Sequence, residues 1–127
     1  MLDRKGFTLI ELLIVVVIIG LLATIAIPKF SATKDKAKMA SVRSDLRNAM
    51  TAQEAYFADY NVYGDLGQIQ ANSNFLLSLG NGGTVVPDAS GYTATIENTT
   101  IGSGITQCTI QAGAGAASSI DGLIICS

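Results

Sequence analysis

The sequence predicts an α+β chain in which one long amino-terminal helix packs against a small antiparallel β-sheet head. Three observations carry this. An apolar run from Phe7 to Ile27 is interrupted by a single charge, Glu11. Apolar residues then recur at spacings of three and four as far as Tyr60, the pattern of an amphipathic helix. Finally, Tyr92, Ala94 and Ile96, then Cys108, Ile110 and Ala112, alternate with polar residues, the period of a half-buried strand.

With 127 residues the chain has room for one globular domain, and the apolar run takes part of that room without adding to a soluble core. It contains no His and no Trp, and charged residues are only 14% of it. Catalysis would have to rest on carboxylates, Lys, Tyr or Ser, so a structural or binding role is favoured over an enzyme, with no cofactor and no metal. The organisation expected is a leader over residues 1–6, a membrane-spanning segment over 7–28, an amphipathic helix over 29–60, and a connecting loop with a β-sheet head over 61–127.

The leader, MLDRKG, is short and charged and has the form of a targeting segment. The stretch after it, FTLIELLIVVVIIGLLATIAIP, is long enough at ~1.5 Å per residue to cross a hydrocarbon core of roughly 30 Å. A carboxylate at that depth costs about 2.5 to 3.5 kcal/mol even on insertion scales, so either something answers the charge of Glu11 or the side chain snorkels towards the headgroups near the helix start, the first being favoured. Pro28 removes a helix hydrogen bond and is expected to kink the helix where it leaves the membrane. Beyond it, Met39, Val42, Leu46, Ala49, Met50, Tyr56, Phe57 and Tyr60 mark the apolar face. The aromatics at its end read as the junction with the head.

Glycines and Asn81-Gly82-Gly83 punctuate residues 61–83, so this segment reads as a connection holding a short helix or a hook, with Phe75, Leu76, Leu77 and Leu79 packed on the sheet. Leu123 to Cys126 is a further short strand, and Gly113 to Ser119 a loop. The Gly-Ser-Gly and Gly-Ala-Gly triplets starting at Gly102 and Gly113 lack the strand-to-helix setting of a phosphate loop and are turns. Asn98-Thr99-Thr100 is a glycosylation sequon of low specificity. Lys34, Lys36 and Lys38 come without stacking aromatics, and no direct nucleic-acid binding is expected.

Charge is unevenly divided. All eight basic residues lie before position 48, and beyond it come only acids: Glu54, Asp59, Asp65, Asp88, Glu97 and Asp121. This is either a solvated helix face ahead of an acidic domain, or complementarity between copies, which in a heterologous contact that does not close builds a helical filament. Cys108 and Cys126 favour a disulfide in an oxidising compartment, with two buried thiols as the alternative. A bridge enclosing Thr109 to Ile125 would contribute roughly 3 kcal/mol in the chain-entropy account.

A charged leader ending in Gly6, an aromatic at Phe7, an acid four residues later, an unbroken apolar run and a Pro together resemble the amino terminus of type IV prepilins and of the related type II secretion pseudopilins. The resemblance is sharp to about Phe30 and looser to Tyr63. It implies a pilin-like fold, cleavage between Gly6 and Phe7 by a membrane-embedded prepilin peptidase, and N-methylation of Phe7. It matches Glu11 to the acid that meets a neighbouring subunit's terminal amine during assembly, and Gly20 to Pro28 to a segment that can lose helicity in filaments. It implies a homopolymer, a membrane assembly platform and a motor ATPase as partners, and passage from the inner membrane to an extracellular pilus serving adhesion, twitching motility or DNA uptake. Lysine and arginine counts alone would keep the head inside, with Arg4 and Lys5 before the span and Lys29, Lys34, Lys36 and Lys38 after it. The resemblance places the head outside. A major pilin is the expectation, since pseudopilins generally carry an acid-rich calcium loop near the end and no disulfide. The alternatives are a pseudopilin and a non-polymerising, single-pass anchored binding protein.

Overall fold

The computed structural model describes residues 6–102, 104–113 and 121–127. Most of the expected leader, most of the loop after Gly113 and the centre of the Gly102 turn lie outside them. The chain falls into two compact units, one ending at Lys34 and the other running from Asp35 to Ser127. The expected α+β architecture is present: helix α1 (Leu9–Tyr60), helix α2 (Leu66–Ser73), and strands β1 (Gly82–Asp88), β2 (Gly91–Glu97), β3 (Gln107–Gly113) and β4 (Ile124–Cys126).

Helix α1 continues through Pro28. The ring leaves the Thr24 carbonyl without its usual helical donor. Nearby hydroxyls turn back onto the helix, from Thr24 to the Leu21 carbonyl at 2.7 Å and from Thr33 to the Lys29 carbonyl at 2.9 Å. The helix ends where Asn61 takes a left-handed φ of 59° and its N–H donates to the Phe57 carbonyl at 2.7 Å. Helix α2 starts on a reciprocal cap, in which Asp65 accepts from the Gln68 N–H and Gln68 accepts from the Asp65 N–H, both at 2.9 Å.

In the second unit the strands form an antiparallel meander in the order β1-β2-β3-β4. Tyr92, Ala94 and Ile96 of β2 and Cys108 and Ile110 of β3 face a buried core completed by Val42, Leu46 and Ala49 of α1 and Ile69 of α2. Gly91 and Gly113 sit opposite each other, and a Cβ on Gly91 would come within 1.9 Å of the Ala112 carbonyl oxygen. Only glycine allows that approach. Cys108 and Cys126 are direct cross-strand partners and form a disulfide, so the two-thiol alternative is set aside. The Cys108 sulfur touches the Met39 sulfur at 3.4 Å, a packing contact because neither atom carries a proton.

Two expectations need correction. The connecting region does not reach Gly83, because β1 begins at Gly82 and pairs with β2 along its length. Its glycines and Pro87 disguise it as a turn region, and of its residues only Val85 is buried. In the apolar patch after α2, Phe75 is buried and Leu77 half-buried, whereas Leu76 and Leu79 are exposed.

Polar groups tie the layers together. Gln53 is fully buried, its Nε2 donating to the Gly64 carbonyl at 2.6 Å and its Oε1 accepting from the Gly64 N–H at 3.0 Å. Asn98 is also buried, with its Nδ2 donating to Asn81 Oδ1 at 2.8 Å and its Oδ1 accepting from the N–H and hydroxyl of Thr100. The amide that a sequon offers to a glycan is thus spent inside the fold.

Tyr63 links Phe57 to Tyr92, with ring centroids 4.8 and 5.1 Å away. Burial pushes the Tyr92 phenol well above its ordinary value of 10.0, and Glu54, Tyr63 and Asp121 add to the shift. A raised phenol pKa means that stability is fully present below about pH 10 and drains as pH climbs, since the unfolded phenol loses its proton first. The denaturation midpoint is therefore expected to fall between about pH 10 and pH 12, and Tyr92→Phe to flatten that fall. An equal slope in the variant would assign the loss to other groups.

Candidate assembly site

Gly6 and Phe7 precede α1, and Phe7 is 89% exposed. Thr8 is the residue before the helix and Glu11 its third residue, a spacing that permits reciprocal capping. The Thr8 N–H and hydroxyl both donate to Glu11 Oε2, at 2.8 and 2.7 Å, and the Glu11 N–H faces Thr8 Oγ1 at 3.3 Å. Within one chain the carboxylate is thus held by its own helix start. Its second oxygen takes no bond among the described residues, which leaves it available to a cation. The Thr-Leu-Ile-Glu spacing carries this signal in the sequence, whereas the membrane cost of the carboxylate does not reveal it.

Beyond Glu11, the Thr24 hydroxyl on the Leu21 carbonyl is the one side-chain hydrogen bond in this segment among the described residues. An 18-residue window within α1 has a mean hydropathy of 3.0, and its side chains are unburied. A Cβ placed on Gly20 would meet nothing within 4 Å. Leu, Ile and Val side chains bare over such a length need a low-polarity surrounding, either lipid or other helices.

The second unit carries the charges that could work between copies. Arg43 and Arg47 lie one turn apart on exposed positions of α1. The Arg43 Nε reaches the Cys126 sulfur at 3.4 Å, a weak acceptor. Lys38 with Asp35, at 3.8 Å, is the one ion pair among the described residues. Glu54, Asp59, Asp65, Asp88, Glu97 and Asp121 are all exposed. Asp45 is different, being 2% exposed and bonded entirely by neutral donors from residues 78–81.

A capped apolar helix start with an exposed flank, joined in sequence to a disulfide-bearing β head, is a pilin-like α+β architecture. Comparison with known proteins supports that class. The family model for the prokaryotic N-terminal methylation motif matches residues 1–27. The chain is 46% identical to the type IV major pilin protein PilA of Myxococcus xanthus over 62 residues, which is 49% of this chain and 28% of that protein. It is 42% identical to the type IV wide pilus major component PilA4 of Thermus thermophilus over 78 residues, 61% of this chain and 55% of that protein. It is also 38% identical to the type II secretion system core protein G of Klebsiella michiganensis over 61 residues, 48% of this chain and 43% of that protein. The match thus spans between about a quarter and just over half the length of these relatives. The chain is similar to type IV pilins and to type II secretion pseudopilins, as its amino terminus indicates.

Proposed function

We propose that this chain is a major structural subunit of a type IV pilus, without catalytic activity of its own. Its precursor is held in the inner membrane, cut between Gly6 and Phe7 by a prepilin peptidase, and N-methylated at Phe7. A membrane platform and a motor ATPase then polymerise it into an extracellular filament. What supports the reading is the methylation motif over residues 1–27, carried on a helix start whose apolar side chains are bare. In the assembled state those side chains exchange lipid for copies of the same helix. The free oxygen of Glu11 meets the amine of a neighbouring Phe7, and the basic flank of α1 faces acidic heads. The segment from Gly20 to Pro28 is where the helix yields under load, because the Thr24 carbonyl already lacks its donor.

A pseudopilin is the second reading, favoured by the similarity to core protein G. The Cys108–Cys126 bridge favours the pilin.

Shearing cells and weighing the subunit in the released fibres tests the proposal. The expected mass is that of a chain beginning at methylated Phe7 and lies two hydrogen atoms below the fully reduced chain. Fibres absent at native expression, together with a secretion defect on deletion, would replace the pilin with the pseudopilin. An intact Met1 in a monomeric membrane fraction would overturn both.

A further inference from the structure

Between the last turns of α1 and the facing side of α2 lies an open groove of about 390 Å³. Its α1 wall is Tyr56 and Tyr60, whose ring centroids are 4.5 Å apart at an interplanar angle of 31°. Its α2 wall is Gln68 and Asn72, one helical turn apart, with Ala71 too short to fill the space between. Asn72 Nδ2 donates to Asp59 Oδ2 at 3.3 Å and so ties the two helices together beside it.

We propose that this groove binds the ring of a neutral sugar. Tyr60 is 56% exposed and is braced by Tyr56 at a tilt of 31°, so its ring offers an aromatic surface against which the apolar C–H face of a pyranose can lie. A cage for an ammonium group would need ring faces set apart around the cation, and two rings with centroids only 4.5 Å apart leave no room for one between them. The opposite wall offers what hydroxyl groups require. Gln68 Oε1 is occupied by the Asp65 N–H, which leaves its Nε2 hydrogens as donors, while the Asn72 carbonyl is an acceptor. Charge decides between neutral and anionic sugars. Every Lys and Arg lies at or before Arg47, and the charged residues bonded to the groove's α2 wall are Asp59 and Asp65, so an anionic sugar is repelled.

The test uses the full chain in a detergent without a sugar headgroup and saturation-transfer NMR with methyl β-glucoside, methyl β-galactoside, lactose and N-acetylneuraminic acid. At least one neutral sugar is expected to receive saturation on the C–H protons of one ring face, and N-acetylneuraminic acid at least fivefold less. Tyr60→Ala and Ala71→Met, the first removing the aromatic surface and the second filling the groove, should each cut the transfer at least fivefold. Both positions lie on the surface of the groove, and either variant that keeps the far-UV helix signal decides the matter. No transfer to any neutral sugar, stronger transfer to the acid, or undiminished transfer in a folded variant would overturn the assignment. The outcome is independent of whether the chain forms filaments.

Discussion

Replacing Glu11 by Gln is expected to abolish surface fibres while leaving the amount of membrane-inserted subunit unchanged. The substitution is chosen because the two roles open to Glu11 respond to it differently. As a capping partner, Gln is as acceptable as Glu, since its amide oxygen can still accept from the Thr8 N–H. As the partner of a neighbouring amine in an apolar bundle, Gln fails, because it cannot neutralise the buried cation. Breaking one side of a buried pair costs about 3 to 5 kcal/mol, and 3 kcal/mol already weakens each contact more than a hundredfold. Thr8→Ala makes the complementary change: it removes a cap worth about 1 kcal/mol and retains the charge. The expected pattern in sheared fractions is therefore no fibres from Glu11→Gln and reduced but present fibres from Thr8→Ala. Fibres at wild-type level from Glu11→Gln would show that the carboxylate serves its own helix start and would remove it from the assembly mechanism.

What could be read from the sequence and what could not follow one physical division. Features carried by neighbours in the chain were legible. The apolar run, the three-and-four spacing through Val42, Leu46 and Ala49, and the alternation in β2 and β3 each express a local period that burial then obeys. Features carried by partners distant in the chain were not. Strand β1 has two glycines at its start and a proline near its end, so it owes its strand geometry to pairing with β2. Asp45 and Gln53 look like members of a polar helix face, and they are buried only because Ser78, Asn81 and Gly64 come to meet them. The groove beside Tyr60 could not be read for the same reason, since Gln68 and Asn72 reach it from another helix. For the residues proposed for cleavage (Gly6, Phe7), assembly (Phe7, Glu11) and helix yielding (Gly20, Pro28), the sequence motif says more than the fold of one chain, because those roles involve other copies or the processing machinery.

Asp45→Ala is expected to cost about 3 to 5 kcal/mol, a large part of the 5 to 15 kcal/mol typical of a folded domain. Asp45 Oδ2 accepts from the Ser78 N–H and from Asn81 Nδ2, both at 2.7 Å, while its Oδ1 accepts from the Ser78 hydroxyl at 2.8 Å. Removing the carboxylate strands these donors, at about 1 to 3 kcal/mol for each that water cannot reach. Asp45→Asn separates hydrogen bonding from charge. Its amide oxygen can take the Ser78 N–H and Asn81 Nδ2 while its NH₂ donates to the Ser78 hydroxyl, which turns to accept, so only the charge assistance is lost and a loss of about 1 kcal/mol is expected. Urea unfolding of the full chain in detergent, followed by tyrosine fluorescence, measures both. A loss below 1 kcal/mol from Asp45→Ala would mean that water replaces the carboxylate freely. The reason to bury a charge here lies in what the apolar face cannot do. Val42, Leu46 and Ala49 would tolerate a shift of α1 by one turn beneath the sheet, since one aliphatic side chain fills another's place at modest cost. The polar chain does not tolerate it. Asn81 Nδ2 bonds both Asp45 and Ser41 of α1, and Asn81 Oδ1 takes the amide of Asn98 from the end of β2. One helix register alone satisfies every member, which is how a buried acid with no cation of its own can specify the fold rather than merely burden it.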